Sequence, residues 1–382
     1  MNVKRSSVLT MSTLVVAALA SLSVGSYAAS PAASMNAAAS GDIVQEAIAA
    51  VEAATGPTDQ WYGPTTAPAP QPGKSIVCVN YYAQDVVGVA WCKGVAEAAA
   101  TLGWKETTID TVGTPDSWRS GMQQAIALNP DGIVISLDGN SVSGLLEEAA
   151  AAGIKVVGIH SSGTPGPHPE LNLFTNLSYD PTAQAKLAAQ AAIADSNGTA
   201  QMIEVTDDQY AIAKTKASTA KAVIEACPGC KHLEYVSTPA GQANQNMPGL
   251  FTSWITKYPD MFYVFSVSDA GFLDPGIPAL RSGGVPTSGR IALIGSDGSP
   301  SAYQRIQSGE YQIATIPEPA NLQGWQAVDE LNRAFNDAEP SGTVWPLHII
   351  TKDNFATSIV DGVYVPQVDY RSEYTKLWGV GQ

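Results

Sequence analysis

Histidine is scarce in this sequence, which has only four among 382 residues. They stand far apart, and no His-x-x-x-His pattern occurs, so the usual helical zinc-hydrolase motif is excluded. The Gly-x-Ser-x-Gly turn of serine hydrolases is missing, and the first predicted strand-to-helix turn lacks Gly-x-Gly-x-x-Gly. Paired carboxylates are the one remaining feature suited to acid–base chemistry. We therefore expect a protein that is not an enzyme, with no catalytic residues, no metal and no cofactor.

Positive charge is scarce as well, because 20 Lys and Arg stand against 35 Asp and Glu, giving a formal net charge of −15. An acidic chain repels phosphate backbones, so we expect no nucleic-acid partner. Charged residues make up only 14% of the chain and apolar residues 45%, a balance that favours packed cores over disorder. A chain of this length usually forms more than one domain.

The sequence has only four cysteines, and two of them form a Cys-x-x-Cys pair, Cys227 and Cys230. No second Cys pair or nearby His pair completes a zinc site. The pair follows a helical pattern and precedes a strand pattern, which predicts a small disulfide that closes the turn between them. Cys78 and Cys92 fit either two buried thiols or a second bridge.

Residues 1–28 have the pattern of a signal peptide. Lys4 and Arg5 precede an apolar run from about Val8 to Val24, and Ser26-Tyr27-Ala28 supplies a cleavage pattern. Cleavage removes both basic residues and takes the net charge from −15 to −17. No cysteine lies near the cleavage point to carry a lipid anchor, so the sequence predicts a soluble periplasmic protein.

The remaining chain divides into an arm and two lobes. Residues 29–73 are rich in Ala, Ser and Pro, which predicts an extended N-terminal arm with one short helical pattern at 43–53. From Lys74 onward, short apolar strands alternate with helical patterns, as in βαβ units. The sequence therefore predicts an α/β fold with two doubly wound parallel-sheet lobes. In such sheets ligands bind beyond the carboxyl ends of the strands.

Several segments, in this order and spacing, resemble the ribose-binding-protein type of periplasmic sugar-binding proteins. The resemblance covers roughly residues 74–354, and the segments that carry it are Gly94–Trp104, Asp131–Ser136, Ala152–Val157, Ile294–Gly298 and Ser308–Ile316. It implies two lobes joined by a three-crossing hinge, with a ligand cleft between them. It places 74–176 plus 319–345 in the N-terminal lobe, 177–318 plus 346–358 in the C-terminal lobe, and 359–382 in a C-terminal tail.

By this resemblance the protein is the solute-binding component of an ABC importer and captures a small neutral polyhydroxy ligand, such as a sugar or polyol, by hinge closure. Its expected partners are that ligand and an ABC permease in the inner membrane, and we expect a monomer. Two alternatives remain open: a non-sugar amine or aromatic alcohol as ligand, or presentation of the ligand to a chemoreceptor or sensor kinase.

Site residues follow from the same resemblance, position by position. Asp297 matches a ligand aspartate, Lys214 replaces an arginine, and Ser268-Asp269 replaces Asn-Asp. Glu318 replaces a glutamine, and Gln242 falls where an aromatic residue is usual. The sequence departs from the pattern at Gln84–Gly88, which lacks the stacking aromatics, and at His160-Ser161, which replaces an Asp-Arg pair. Tyr81, Tyr82 or Trp91 could supply a ring nearby.

The charges of these candidates indicate the kind of ligand. Asp85, Asp269, Asp297 and Glu318 are four acceptors beside a single Lys214. Carboxylates accept hydrogen bonds from hydroxyl or ammonium groups, so the ligand is expected to be neutral and hydroxyl-rich, or cationic. Structural roles remain open as well: Asp85 and Asp297 could cap helices, and Asp269 could orient a neighbour. Glu318 could bond hinge backbone, Lys214 could be a solvated helix charge, and His160 could be a loop histidine without a role.

Overall fold

The computed structural model describes residues 31–360 and 363–381. The predicted signal peptide, residues 1–28, lies outside them. Within the described residues, two six-stranded sheets form two lobes. The predicted α/β class, with two doubly wound and mostly parallel lobes, is confirmed. Among the described helices, none is both long and apolar enough to cross a bilayer.

The N-terminal lobe is built on a sheet with the strand order β2-β1-β3-β4-β6-β5. Only the short edge strand β5 runs antiparallel. Its strands are β1 (Ser75–Asn80), β2 (Lys105–Asp110), β3 (Gly132–Ile135), β4 (Lys155–Ile159), β5 (Gly166–His168) and β6 (Leu173–Leu177), and its helices are α2 (Val86–Thr101), α3 (Pro115–Ala127), α4 (Ser143–Ala151) and α10 (Ala320–Phe335).

The C-terminal lobe has the strand order β8-β7-β9-β10-β11-β12, and β12 is its antiparallel edge. Its strands are β7 (Gln201–Thr206), β8 (Lys231–Ser237), β9 (Phe262–Ser266), β10 (Ile291–Asp297), β11 (Gln312–Pro317) and β12 (Ile350–Thr351), and its helices are α5 (Pro181–Asp195), α6 (Ala211–Ala226), α7 (Ala243–Lys257), α8 (Asp274–Ser282), α9 (Pro300–Ser308) and α11 (Phe355–Ser358).

The predicted extended arm at 29–73 is wrong for its first half. Residues Pro31–Ala54 form a 24-residue helix, α1. Val44 and Ala47 of this helix are buried in the core that includes α5, so contact with the C-terminal lobe stabilises a helix that the sequence indicated only in part. Prolines hold residues 55–73 outside regular structure, and this stretch packs on α10, where Asn332 Nδ2 donates to the carbonyl oxygen of Pro68 at 2.8 Å.

The predicted C-terminal tail, 359–382, is also structured. It contains β13 (Ile359–Val360), β14 (Val363–Tyr364) and α12 (Tyr370–Trp378). Helix α12 returns to the N-terminal lobe, where the rings of Trp378 and Trp325 stack with centroids 5.5 Å apart. The aromatic spacing of this segment lets it bury its rings on α10, which explains why it is not a loose tail.

The chain crosses between the lobes at 178–180, at 318–319 and again at 336–349, which agrees with the predicted three-crossing hinge. Two further segments of the described chain cross as well: 55–60, which leaves α1, and 365–369, which leads into α12. These two segments contact each other, because the backbone N–H of Thr58 donates to Gln367 Oε1 at 3.0 Å. The hinge is therefore reinforced by both ends of the chain.

Both cysteine pairs form disulfides. Cys227 and Cys230 bridge the turn between α6 and β8, as predicted, with Cα atoms 5.2 Å apart. Cys78 of β1 is bonded to Cys92 of α2, with a Cα separation of 5.6 Å. Of the two alternatives for Cys78 and Cys92, the structure therefore has the second bridge.

Candidate functional site

A cavity of ≈ 60 Å³ lies between the two lobes, at the carboxyl ends of their strands. The N-terminal lobe lines it with Tyr81, Tyr82, Asp85, Trp91, Ser136 and His160, and the C-terminal lobe with Asp207, Tyr210, Ala213, Ala240, Val267, Ser268, Gly271, Phe272 and Asp297.

The lobes touch each other around this cavity. The backbone N–H of Ala211, at the start of α6, donates to Asp138 Oδ2 of the opposite lobe at 3.2 Å, and the Ser268 hydroxyl donates to Asp85 Oδ2 at 3.4 Å. A helix N-terminus is a favourable place for a carboxylate. The structure is therefore a closed form, in which small movements of either lobe would break these contacts.

His160 lies where β4 ends and faces Glu318 of the second crossing. Its Nε2 atom is 3.2 Å from Glu318 Oε1, without hydrogen-bond geometry, and neither atom has another partner among the described residues. His160 has a φ of +56°, a conformation that costs roughly 1–3 kcal/mol for a non-glycine residue and that clusters at functional sites.

A chain of hydrogen bonds holds Glu318 in place. Its second carboxylate oxygen accepts a short bond from Gln323 Nε2, and Gln323 Oε1 accepts from Trp91 Nε1 at 2.6 Å. The Trp91 ring in turn packs edge-on against the His160 ring, with centroids 4.8 Å apart. These contacts fix the orientation of His160 at the cavity wall.

Asp297 approaches from the C-terminal lobe, at the end of β10. Its Oδ1 atom accepts a hydrogen bond from Lys216 Nζ at 3.0 Å, and both side chains are largely buried. Asp297 also has a positive φ, +69°, a region in which Asp and Asn are the best tolerated non-glycine residues. The predicted helix-capping role is taken by Ser299, whose hydroxyl accepts from Ala302 N at 3.0 Å.

Asp85 has its acceptors largely occupied. Its carboxylate accepts from the backbone N–H groups of Val87 at 2.8 Å and Gly88 at 3.4 Å, and so caps α2. It also accepts a short hydrogen bond from the Tyr81 hydroxyl. Burial raises the pKa of Asp85. Asp85 therefore lines the cavity, but mainly holds the wall together by capping α2 and bonding Tyr81.

The middle of the cavity is aromatic. Tyr210 meets Trp118 at a centroid distance of 4.7 Å and Tyr81 at 6.0 Å, and Phe272 adds a further ring. Burial raises the pKa of Tyr210 well above its ordinary value, so its hydroxyl stays protonated. That hydroxyl is buried and has no hydrogen-bond partner in the described structure.

Three predicted site residues do not reach the cavity. Lys214 is exposed, because the inward face of α6 carries Ala213, Lys216 and Ala217 at helical spacing; the site lysine is Lys216. Gln242 is exposed at the end of a helical turn, and Ala240 lines the cavity in its place.

Asp269 is the third of these residues. It is fully buried and accepts hydrogen bonds from Gln312 Nε2, at 2.6 Å, and from Thr315 Oγ1. Burial raises its pKa to about 7. Asp269 therefore ties the loop after β9 to β11 behind the cavity, which is the orienting role left open from the sequence.

The remaining predicted residues come together: Asp297, His160, Asp85, Ser268 and Tyr81 line the cavity, and Glu318 lies next to His160 and Asp297. Sequence reasoning missed Lys216 and Tyr210. A signal for Tyr210 was present, since it ends the loop after β7 and that loop lies at the carboxyl edge of the sheet.

Among the described residues, His160, Asp297 and Glu318 form a group close enough to hold a metal ion, with one ligand atom from each within 4.8 Å of the others. The Lys216 ammonium, already bonded to Asp297, opposes a divalent cation at this position. The arrangement fits a polar group of a ligand better, because it offers hydrogen-bonding atoms next to a hydrophobic wall.

Solved structures with the same fold include three ABC transporter solute binding proteins. One, from Mycobacterium smegmatis with bound glycerol, has a TM-score of 0.65 and 21% identity and covers 77% of this chain and 99% of its own. The protein from Agrobacterium vitis with bound allitol has a TM-score of 0.64 and 19% identity, and the alignment covers 75% of this chain and 97% of that one. The protein from Burkholderia graminis in complex with D-arabinose has a TM-score of 0.66 and 20% identity, and the alignment covers 75% of this chain and 98% of that one.

The likeness to these structures shows that this chain has the same two-lobed fold. A comparison with curated protein sequences gave no match. Residues 76–339 match the family model described as periplasmic binding protein domain, and this match spans both lobes and all the site residues described above. The chain therefore belongs to the periplasmic binding protein domain family.

Proposed function

We propose that this protein is the periplasmic solute-binding component of an ABC importer and captures a small neutral hydroxylated ligand by hinge closure. The observation that carries the proposal is the position of His160 and Asp297. They come from opposite lobes and line one cavity, so a ligand can bond both side chains only in the closed form. Differential affinity for that form drives closure.

The fold relatives support the hydroxylated ligand class, because their structures have glycerol, allitol or D-arabinose bound. Under this proposal the protein is an exported monomer without catalytic activity, and a permease in the inner membrane recognises its closed form. The aromatic wall of Tyr81, Trp91 and Tyr210 favours one second candidate, an aromatic alcohol or an amine as the ligand.

A thermal-shift screen of the protein without residues 1–28 tests the proposal, because a ligand that binds only the folded state raises Tm. The panel contains sugars, polyols, aromatic alcohols and amines, and isothermal titration calorimetry follows each positive compound. Closure is measured by small-angle X-ray scattering, in which the radius of gyration should fall when ligand is added. Failure of every compound to raise Tm would contradict the proposal.

Transport is tested separately by uptake of the radiolabelled positive compound into cells that lack the gene. Uptake should be restored by the wild-type protein and not by an Asp297→Asn variant. Binding without any change in uptake would favour presentation of the ligand to a chemoreceptor or sensor kinase.

A further inference from the structure

We infer that the cavity selects small alcohols with at most about three hydroxyl groups and a carbon skeleton that packs on aromatic rings, in preference to pentoses and hexoses. This inference rests on the proposed function and narrows its ligand class. It follows from the number of polar groups at the cavity that remain free to bond a ligand.

Most polar side chains that line the cavity already have protein partners. The Ser136 hydroxyl accepts from the backbone N–H of Tyr81 at 3.0 Å and donates to the Val79 carbonyl at 3.4 Å. The Ser268 hydroxyl accepts from Gly271 N at 3.2 Å and donates to Asp85 at 3.4 Å. These hydroxyls have little capacity left for a ligand.

The same is true of the two lining carboxylates other than Asp297. Asp85 caps α2 and accepts from the Tyr81 hydroxyl. Asp207 accepts from the backbone N–H of Gln209 at 3.0 Å and of Ala240 at 2.9 Å. The Tyr81 and Trp91 donors are likewise used within the protein, by Asp85 and Gln323.

Three lining side chains keep free capacity. The Tyr210 hydroxyl has no hydrogen-bond partner among the described residues, and neither does His160 Nε2, which faces Glu318. Asp297 uses one oxygen for Lys216, which leaves Oδ2 available. Both unpartnered atoms are shielded from solvent in this closed form, so a ligand group would reach them only after a small rearrangement of the cavity wall, and would then satisfy them.

A pentose or hexose presents about four or more hydroxyl groups, which is more than one for each of these three side chains. Each hydroxyl buried without a partner weakens binding, because its bonds to water are lost and not replaced. The rings of Trp91, Tyr210 and Phe272 favour carbon surface, and a cavity of ≈ 60 Å³ favours a short skeleton. The few free hydrogen-bonding groups, the aromatic wall and the small volume of the cavity therefore all favour a small alcohol over a sugar.

Charge distinguishes an alcohol from an amine of the same length. The free oxygen of Asp297 belongs to a carboxylate whose other oxygen bonds a buried ammonium, Lys216. A second cation at Asp297 would be repelled by Lys216, whereas a hydroxyl can both donate to Asp297 and accept from a neighbouring N–H or O–H group. The site therefore favours the neutral hydroxyl.

A five-carbon series tests the inference at constant skeleton length: 1,5-pentanediol, xylitol, D-arabinose and 5-aminopentan-1-ol, with glycerol as a short triol. Binding is measured by calorimetry on the protein without residues 1–28. We expect 1,5-pentanediol to bind at least about tenfold more tightly than xylitol or D-arabinose, since one unsatisfied buried hydroxyl already costs about that much.

The outcomes separate the inference from the proposed function. Equal or tighter binding of D-arabinose or xylitol would overturn the inference and leave the proposed function standing. Tightest binding by the amino alcohol would overturn the choice of a neutral ligand. Absence of binding by every member at millimolar concentration, together with silence in the wider screen, would contradict both.

Tyr210→Phe tests whether the Tyr210 hydroxyl bonds the ligand, because a hydroxyl with a purely structural role would affect Tm and not affinity. It removes a hydroxyl that has no protein partner, so Tm without ligand should stay unchanged or rise, while affinity for the diol falls about five- to tenfold. Tyr263→Phe is the matched control, because its hydroxyl bonds Asp195 at 2.6 Å and does not line the cavity. The control should lower Tm and leave affinity unchanged; unchanged affinity in Tyr210→Phe would overturn the role of Tyr210.

Discussion

Lys216 Nζ lies 3.0 Å from Asp297 Oδ1, and the side chains are only 3% and 12% exposed. This ion pair joins helix α6 to the end of β10, two elements that border the cavity. Because the ammonium is buried, its charge depends on Asp297 for compensation. Any substitution of Asp297 therefore affects stability as well as the ligand site.

Asp297→Asn should lower the free energy of unfolding by about 3 kcal/mol, because the variant leaves a buried ammonium without its counter-charge. Asn keeps the side-chain shape and tolerates the positive φ. Combining it with Lys216→Met should recover most of this loss. Urea denaturation of the two single variants and the double variant measures the coupling.

The exposed pair Lys186 and Glu46, 3.0 Å apart with side chains 51% and 62% exposed, provides the control for that experiment. Lys186→Met should change stability by less than about 1 kcal/mol, because solvent screens the pair. If Asp297→Asn proved as mild as this control, the buried ion pair would not be a significant source of stability.

Glu204 should make stability fall as pH rises. It lies on β7, with its Oε2 atom 2.8 Å from His232 Nε2, and burial raises its pKa to about 9 and lowers the pKa of His232. Between its unfolded pKa, about 4.3, and about 9, the folded state holds a proton that the unfolded chain has lost. Its stabilising effect is thus complete below the unfolded pKa and is lost as pH rises.

The size of this effect follows from proton linkage, with a limit of about 1.4 kcal/mol per pH unit for one proton. Glu204→Gln removes the titrating group and keeps an uncharged hydrogen-bonding side chain. The free energy of unfolding of the wild type minus that of the variant should therefore decrease from pH 5 to pH 8, measured by urea denaturation. A difference that stayed constant or increased would be inconsistent with a buried, protonated Glu204.

Gly324 should be essential for the close packing of α10 on α2. A Cβ atom at this position would lie 2.5 Å from the Trp91 carbonyl oxygen and 2.6 Å from the Val95 nitrogen. Gly324→Ala therefore forces the helices apart, which should cost about 1–3 kcal/mol and weaken ligand binding through the displaced Trp91 ring. Urea denaturation and calorimetry with the best ligand of the five-carbon series check both effects.

Gly144 provides the matched control on another helix. It lies in α4 with no atom within 4 Å of an added Cβ, so Gly144→Ala should raise the free energy of unfolding by about 0.5–1 kcal/mol. If both substitutions changed the free energy of unfolding equally, helix propensity and not close packing would determine the effect of Gly324→Ala.

The fold could be predicted because each lobe repeats a local pattern. Segments such as Ser75–Asn80 and Gly132–Ile135 are short, apolar and bounded by turn residues, so they predict buried strands of a parallel sheet without knowledge of their neighbours. Strand ends then mark the ligand edge of the sheet. Strand ends, together with the family resemblance, are why Asp297, His160 and Asp85 were assigned to the site from the sequence.

The errors arise where packing between distant segments decides the outcome. Helix α1 is stabilised by burying Val44 and Ala47 against another part of the chain, which its Ala- and Ser-rich sequence does not reveal. Lys216 lies at the site and Lys214 does not because only one face of α6 meets the core. Residues two apart on a helix point in directions about 200° apart, since each residue turns the helix by about 100°. Asp269 matches a family position but turns toward Gln312 and Thr315.

The sequence by itself determined the two-lobed α/β architecture and the strand ends that border the cleft, since these depend on local periodicity and on turn residues. Only the tertiary structure decided which polar groups remain free for a ligand. Hydrogen-bond saturation is a property of contacts between distant residues: Asp85 is occupied by Tyr81 and by the start of α2, whereas the Tyr210 hydroxyl and His160 Nε2 have no hydrogen-bond partner among the described residues.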